Sequence, residues 1–72
     1  MQSTLTHEKC ELIRRMASRN ENVKSVWQHK KYKETGKFIE FTAGEYYLVT
    51  QHDTVRQIGF QTRLSVRWIQ VG

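Results

Sequence analysis

The sequence predicts an α+β domain, a short N-terminal helix followed by a strongly bent antiparallel sheet of four to five strands. Three observations carry that expectation. Apolar residues recur at three- and four-residue steps near the start, β-branched and aromatic residues dominate from Val23 onward, and proline is absent throughout. The chain has 72 residues, and against the roughly 100 to 200 of an ordinary domain this leaves room for one domain over residues 1–72.

The helix is expected over Thr6 to Arg19, where Cys10, Ile13, Met16 and Ala17 form a narrow apolar stripe with Leu12 at its margin. Thr6 reads as the N-cap. Glu8 and Glu11 stand toward the positive end of the helix dipole, and Arg14, Arg15 and Arg19 toward the negative end. Asn20, Glu21 and Asn22 stop the pattern.

Strands are then expected over Val23–Lys30 and over Tyr32–Thr42, with Gly36 either a bend within the second strand or a turn between two pieces. Ala43-Gly44-Glu45 reads as a loop, Tyr46–Gln51 as a third strand and His52-Asp53-Thr54 as a hairpin connection. Val55–Gln61 follows as a strand. Leu64–Val71 reads as the last one, with Leu64, Val66 and Trp68 on one face and Ser65, Arg67 and Ile69 on the other, unless a one-residue slip exchanges them. So thin a core leaves sheet edges to be closed, either by bending into a small barrel or by pairing with a neighbouring subunit.

Twelve Lys and Arg against seven Asp and Glu give a formal charge of +5, which favours polyanionic partners through steering and counterion release. The excess also serves solubility. It is densest at Lys30-Lys31-Tyr32-Lys33, flanked by Lys24, Trp27, His29 and Lys37. Lysines neutralise phosphates there, and Trp27 and Tyr32 either stack on bases or fill the core. Arg14, Arg15 and Arg19 make a second basic surface on the helix, as fit for a phosphate backbone as for solvent.

Cys10 is the sole cysteine, which excludes an intrachain disulfide scaffold and points to a reducing cytoplasm. No apolar run of signal-peptide or membrane-span length stands in the sequence, so a soluble protein without membrane contact is expected. His7 and Cys10 share a helical spacing seen in metal sites, but His29 and His52 are the only other soft donors, and no metal or cofactor is expected. The carboxylates Glu34, Glu40, Glu45 and Asp53 are scattered, and no phosphate-binding glycine loop or nucleophile elbow occurs, so catalysis is not expected.

The order of one helix then about five short strands, in some seventy basic residues, is similar to that of the Sm-like proteins. Ser25-Val26-Trp27, then Tyr32-Lys33, Gly36 and Phe41, resemble the first two strands of the Hfq branch of that family. Asp53-Thr54-Val55-Arg56-Gln57 and Phe60-Gln61-Thr62-Arg63-Leu64-Ser65 resemble its last two. The resemblance implies an SH3-like small barrel, a ring of identical subunits, and non-catalytic binding of single-stranded RNA in post-transcriptional regulation. Trp27, Tyr32, Lys33 and Gln57 fall on positions that hold purine-rich RNA in the family. The sequence departs from the pattern at Lys30-Lys31, where the family has an Asn-Gly turn, at Gln61-Thr62, where a Lys-His pair lines its RNA pore, and near Cys10, where the helix glutamine that joins that pair would stand.

The expected RNA surface is therefore Trp27, Lys30, Lys31, Tyr32, Lys33 and Gln57, with Arg14, Arg15 and Arg19 on the helix. Two other functions fit the same composition: a small duplex-DNA-binding regulator of phage or bacterial type using the lysine-rich hairpin, and an inhibitor or adaptor docking a protein partner on an open strand edge.

Overall fold

The computed structural model describes residues 6–59 and 61–72, with the backbone alone at positions 61 and 62. One helix, α1 (His7–Ser18), precedes five strands: β1 (Val23–His29), β2 (Thr35–Thr42), β3 (Glu45–Thr50), β4 (Val55–Ile58) and β5 (Trp68–Gln70). A 3-10 helix, Gln61–Val66, stands between the last two. Every strand pairing is antiparallel, and the spatial order is β4-β3-β2-β1-β5. The α+β expectation holds, and the sheet is not closed.

Helix α1 has the ends its local sequence dictates. The Thr6 hydroxyl accepts the Lys9 N–H at 3.1 Å, satisfying one of the amides that a first turn leaves without a partner. At the other end the Glu21 N–H donates to the Met16 carbonyl at 2.8 Å and the Asn20 N–H to that of Ala17 at 3.1 Å, with Asn20 left-handed at φ 56°. This is a Schellman closure with asparagine where glycine is usual. The Lys37 ammonium adds bonds to the Ala17 carbonyl at 2.8 Å and to Asn20 Oδ1 at 2.7 Å.

The sheet is buried on both faces. On one, Ile13, Met16 and Ala17 of α1 lie on Ile39, Tyr47 and Val49, with Val23, Phe41 and Val55 at the margin. On the other, Trp27, Phe38, Leu48, Leu64 and Trp68 form a second cluster, flanked by Tyr46 and Ile58. A β-bulge in β1 lets one strand serve both clusters: Val23 stands opposite Ile39, and after the register shift Ser25 stands opposite Phe38. Two residues that plain alternation would place together thus face opposite ways.

Strand β2 begins at Thr35 and continues unbroken through Gly36, so Gly36 is neither a turn nor a junction of two pieces. A Cβ there would stand 3.0 Å from Leu48 Cδ1 and 3.4 Å from Trp68 Cζ3. The glycine is what lets Trp68 approach β2 and β3 so closely.

The expected strand Leu64–Val71 is a correction. Leu64 belongs to the 3-10 helix and only Trp68–Gln70 is strand. The reason is topological: β4 and β5 lie at opposite ends of the strand order, so the chain must cross the sheet between them, and a tight helical turn does this while driving Leu64 inward. Leu64 and Trp68 are buried, whereas Val66, expected beside them, is 72 % exposed. Strand β4 is likewise shorter than expected and ends at Ile58.

The first turn of α1 is tied to the β2–β3 turn by a polar cluster. The Glu45 carboxylate accepts hydrogen bonds from the Lys9 ammonium, from the Tyr47 hydroxyl, and from the Thr42 hydroxyl at 2.7 Å. The Lys9 ammonium also lies over the Phe41 and Tyr47 rings, 5.3 and 5.4 Å from their centroids. Chiefly through the Lys9 bond, then those of Tyr47 and Thr42, the Glu45 carboxyl is held down from 4.5 to about 2. Lys9 is raised, first by its bond to Glu45. Tyr47 is raised by burial and then by Glu45.

Because the folded carboxyl titrates below the unfolded one, its contribution to stability is complete above pH 4.5 and is lost as the pH falls toward about 2. Lys9 has the opposite sign, with a contribution present below 10.5 and lost as the pH rises beyond it. Urea unfolding of Glu45→Gln should therefore show a shallower acid loss of stability than the parent protein between pH 4.5 and 2; parallel profiles would contradict the tie. Gly36→Ala should cost about 1–2 kcal/mol by overpacking against Leu48 and Trp68, lowering the urea midpoint without changing the slope.

Candidate nucleic-acid interface

The β1–β2 connection spans residues 30–34 and is organised by His29. A two-residue hairpin at Lys30-Lys31 would need positive φ at both lysines. The chain instead makes a wider loop in which only Lys33 is left-handed, at φ 63°. The His29 backbone closes its base, donating N–H to the Glu34 carbonyl at 2.8 Å and accepting the Lys33 N–H at 3.0 Å. Its Nδ1 accepts the N–H groups of Lys31 and Tyr32, each at 3.1 Å. The Gln51 side-chain carbonyl steadies the far end by accepting from the Thr35 N–H at 2.8 Å and hydroxyl at 3.1 Å. His29 ends β1 as the strand pattern has it, and the loop-holding role of its ring is an addition that the pattern does not disclose.

The His29 imidazole stands edge-on to Trp68 with centroids 4.9 Å apart, and the Tyr32 ring is tilted against it, also at 4.9 Å. Tyr32 is 67 % exposed, and the Lys31 ammonium sits 5.2 Å from its ring centroid. The loop thus presents one aromatic ring to solvent with cations around it. Trp27 is not part of that surface. It is 5 % exposed and donates its indole N–H to Ser25 Oγ at 2.8 Å inside the second core cluster, so it offers a base no open face.

The expected basic residues divide by what they hold. The Lys30 ammonium donates to the Ser65 carbonyl at 2.9 Å and the Val66 carbonyl at 3.3 Å, closing the end of the 3-10 helix. Arg14 donates through Nε to the Asp53 carbonyl at 2.8 Å and pairs with Glu11 at 3.3 Å. Lys31 and Lys33 make no ion pair among the described residues, nor do Arg15 and Arg19. The helix arginines belong to the element covering one face of the sheet, and α1 does not contribute to the core cluster of the other face. The helix arginines are thus a second surface, apart from the loop. Gln57 is exposed on β4. The side chains of Gln61 and Thr62, and Phe60 as a whole, lie outside the described residues.

A cleft of about 600 Å3 opens between the sheet edges, lined by β3, β4, the 3-10 helix and β5. That both edge strands line one cavity shows how far the sheet bends. Arg56, Arg63 and Arg67 reach it from three different elements, together with Gln57, Ile58, Val66 and Trp68. Among the described residues no carboxylate lines the cleft, and none of the three guanidinium groups is in an ion pair. Arg56 stands opposite Leu48, at an inward position where the strand pattern calls for an apolar residue. Sequence reasoning missed these arginines. Their signal was that Thr54 to Gly72 contains three arginines and no acidic residue.

The loop and the cleft adjoin, because the Lys30 N–H donates to the Arg67 carbonyl at 2.8 Å. Among the described residues no group of three His, Cys, Asp or Glu side chains gathers as a metal site would require, and no helix is long and apolar enough to cross a membrane. Removing the loop's acceptor with His29→Ala should speed amide hydrogen exchange at Lys31 and Tyr32 while Leu48 stays protected, with a loss of about 1–2 kcal/mol for two hydrogen bonds. Unchanged exchange at Lys31 and Tyr32 would mean that the imidazole does not hold the loop. Comparison of the chain with protein-family models, curated proteins and solved structures finds no match.

Proposed function

We propose that this protein binds single-stranded RNA without catalysing a reaction, as an Sm-like domain acting in the cytoplasm. The observation that carries the reading is the loop of residues 30–34, where exposed Tyr32 stands among Lys31 and Lys33, two cations unpaired among the described residues. A base stacks on the ring while the lysines neutralise its phosphates, an arrangement indifferent to duplex geometry. Base stacking falls to Tyr32 and not to Trp27, whose burial commits it to the core.

The order of helix and five antiparallel strands supports the Sm-like part of the reading. So do the edges: β4 and β5 are the two unpaired borders of one sheet, and exposed Ile69 and Val71 lie along the second. The β4 edge of one copy meeting the β5 edge of the next makes a head-to-tail contact that closes into a ring. Duplex DNA is less well served. A ribbon entering the major groove must be free on both sides, and here β1 also pairs with β5 and β2 with β3.

Fluorescence anisotropy with a labelled oligoribonucleotide and a DNA duplex at matched salt tests the proposal. The single strand should bind more tightly. Lys31→Ala and Lys33→Ala should each reduce the log–log salt slope by about 0.7, and Tyr32→Ala should cost about 1–3 kcal/mol. Preference for duplex, or variants indistinguishable from the parent, would contradict it.

A further inference from the structure

The cleft between the sheet edges concentrates positive charge in a way the fold does not need. A single exposed arginine on an edge strand needs no more explanation than solubility. Three arginines from β4, the 3-10 helix and the link to β5 line one cavity with no carboxylate among its described lining residues, and an anion bound there would neutralise them. Guanidinium groups are suited to phosphate, since each offers two parallel donors to its oxygens.

Beside the arginines and Gln57, the described lining is mostly apolar. Ile58 is half-buried, the Trp68 ring forms part of the floor, and Val66 is held at the rim although it is 72 % exposed. The volume of about 600 Å3 falls in the range of roughly 300–1,000 Å3 typical of small-molecule sites.

We infer that this cleft is a binding site for a nucleoside monophosphate, with the phosphate held by Arg56, Arg63 and Arg67 and the base laid against Ile58, Val66 and Trp68. The nucleotide comes either free or as one unit of an RNA strand that continues past Tyr32. The three arginines are distinct from the residues of the 30–34 loop, so the site stands or falls separately from the RNA-binding reading.

The test is titration of isotope-labelled protein, followed by NMR, with adenosine monophosphate, inorganic phosphate and a short adenylate oligoribonucleotide. The Trp68 indole N–H and the three arginine Nε–H resonances should move with the mononucleotide, with the oligoribonucleotide or with both, while the Trp27 indole stays in place. Movement with the mononucleotide assigns a free nucleotide as ligand, and movement with the oligonucleotide alone assigns a unit of a strand. The organic ligand should bind at least about tenfold more tightly than inorganic phosphate, and Arg63→Gln and Arg67→Gln should each weaken it about tenfold. Both substitutions are at exposed positions and should leave the urea midpoint unchanged. Equal affinity for inorganic phosphate would overturn the base-binding wall. Absence of any shift at the cleft would overturn the site altogether, and Tyr32 shifting with RNA in that same experiment would show the loop reading surviving without it.

Discussion

Burial of β2 and β3 on both faces is the constraint on which the rest of the structure depends. In β3 the residues Tyr47, Leu48, Val49 and Thr50 are all buried, with Tyr47 and Val49 turned to the helix and Leu48 to the tryptophans. A chain this small cannot cover two faces with two full layers. It uses α1 for one and folds the sheet over the other, so that Leu64 within the 3-10 crossing and Trp68 after it pack with Leu48 of β3. A slip of one residue in β3 would exchange the Tyr47 and Leu48 environments and leave both clusters misfilled. The bulge in β1, the bare backbone at Gly36 and the Schellman closure at Asn20 all serve that single register.

This constraint also decides which residues are left for a ligand. Net charge is a poor guide, because several cations are in structural use: Lys9 joins α1 to Glu45, Lys37 closes the helix, Lys30 closes the 3-10 helix, and Arg14 holds the β3–β4 turn. Lys31 and Lys33 remain in the loop, Arg56, Arg63 and Arg67 at the cleft, and Arg15 and Arg19 on the helix. The loop and the cleft adjoin through the Lys30–Arg67 backbone bond, and there the only strongly exposed aromatic ring of the described residues, Tyr32, is found.

The legible parts of the sequence were the local ones. Thr6 as N-cap and the stop at Asn20 follow from side chains acting within four residues of themselves, and the helix ends where those signals put it. Strand existence was legible from β-branched and aromatic content. What the sequence did not disclose was set by distant partners. Trp27 is buried because Phe38, Leu48 and Trp68 meet it, and nothing in Lys24 to Lys30 distinguishes that outcome from exposure. The last segment alternates as a strand would, yet the crossing from one sheet edge to the other demands a tight turn first. Of the cleft arginines the strand pattern places only Arg67, on one face of the expected last strand, since the convergence of the three exists only after the sheet bends.

The central claim is that double-sided burial confines the proposed RNA surface to the loop and the adjoining seam. Ultraviolet crosslinking of the protein to a bound single-stranded oligoribonucleotide, with the modified residues located by mass spectrometry, tests it most directly. Adducts at Tyr32 and in residues 63–68, with none on α1, are the predicted result. Crosslinks concentrated on α1 around Arg15 and Arg19, with Tyr32 unmodified, would contradict the account.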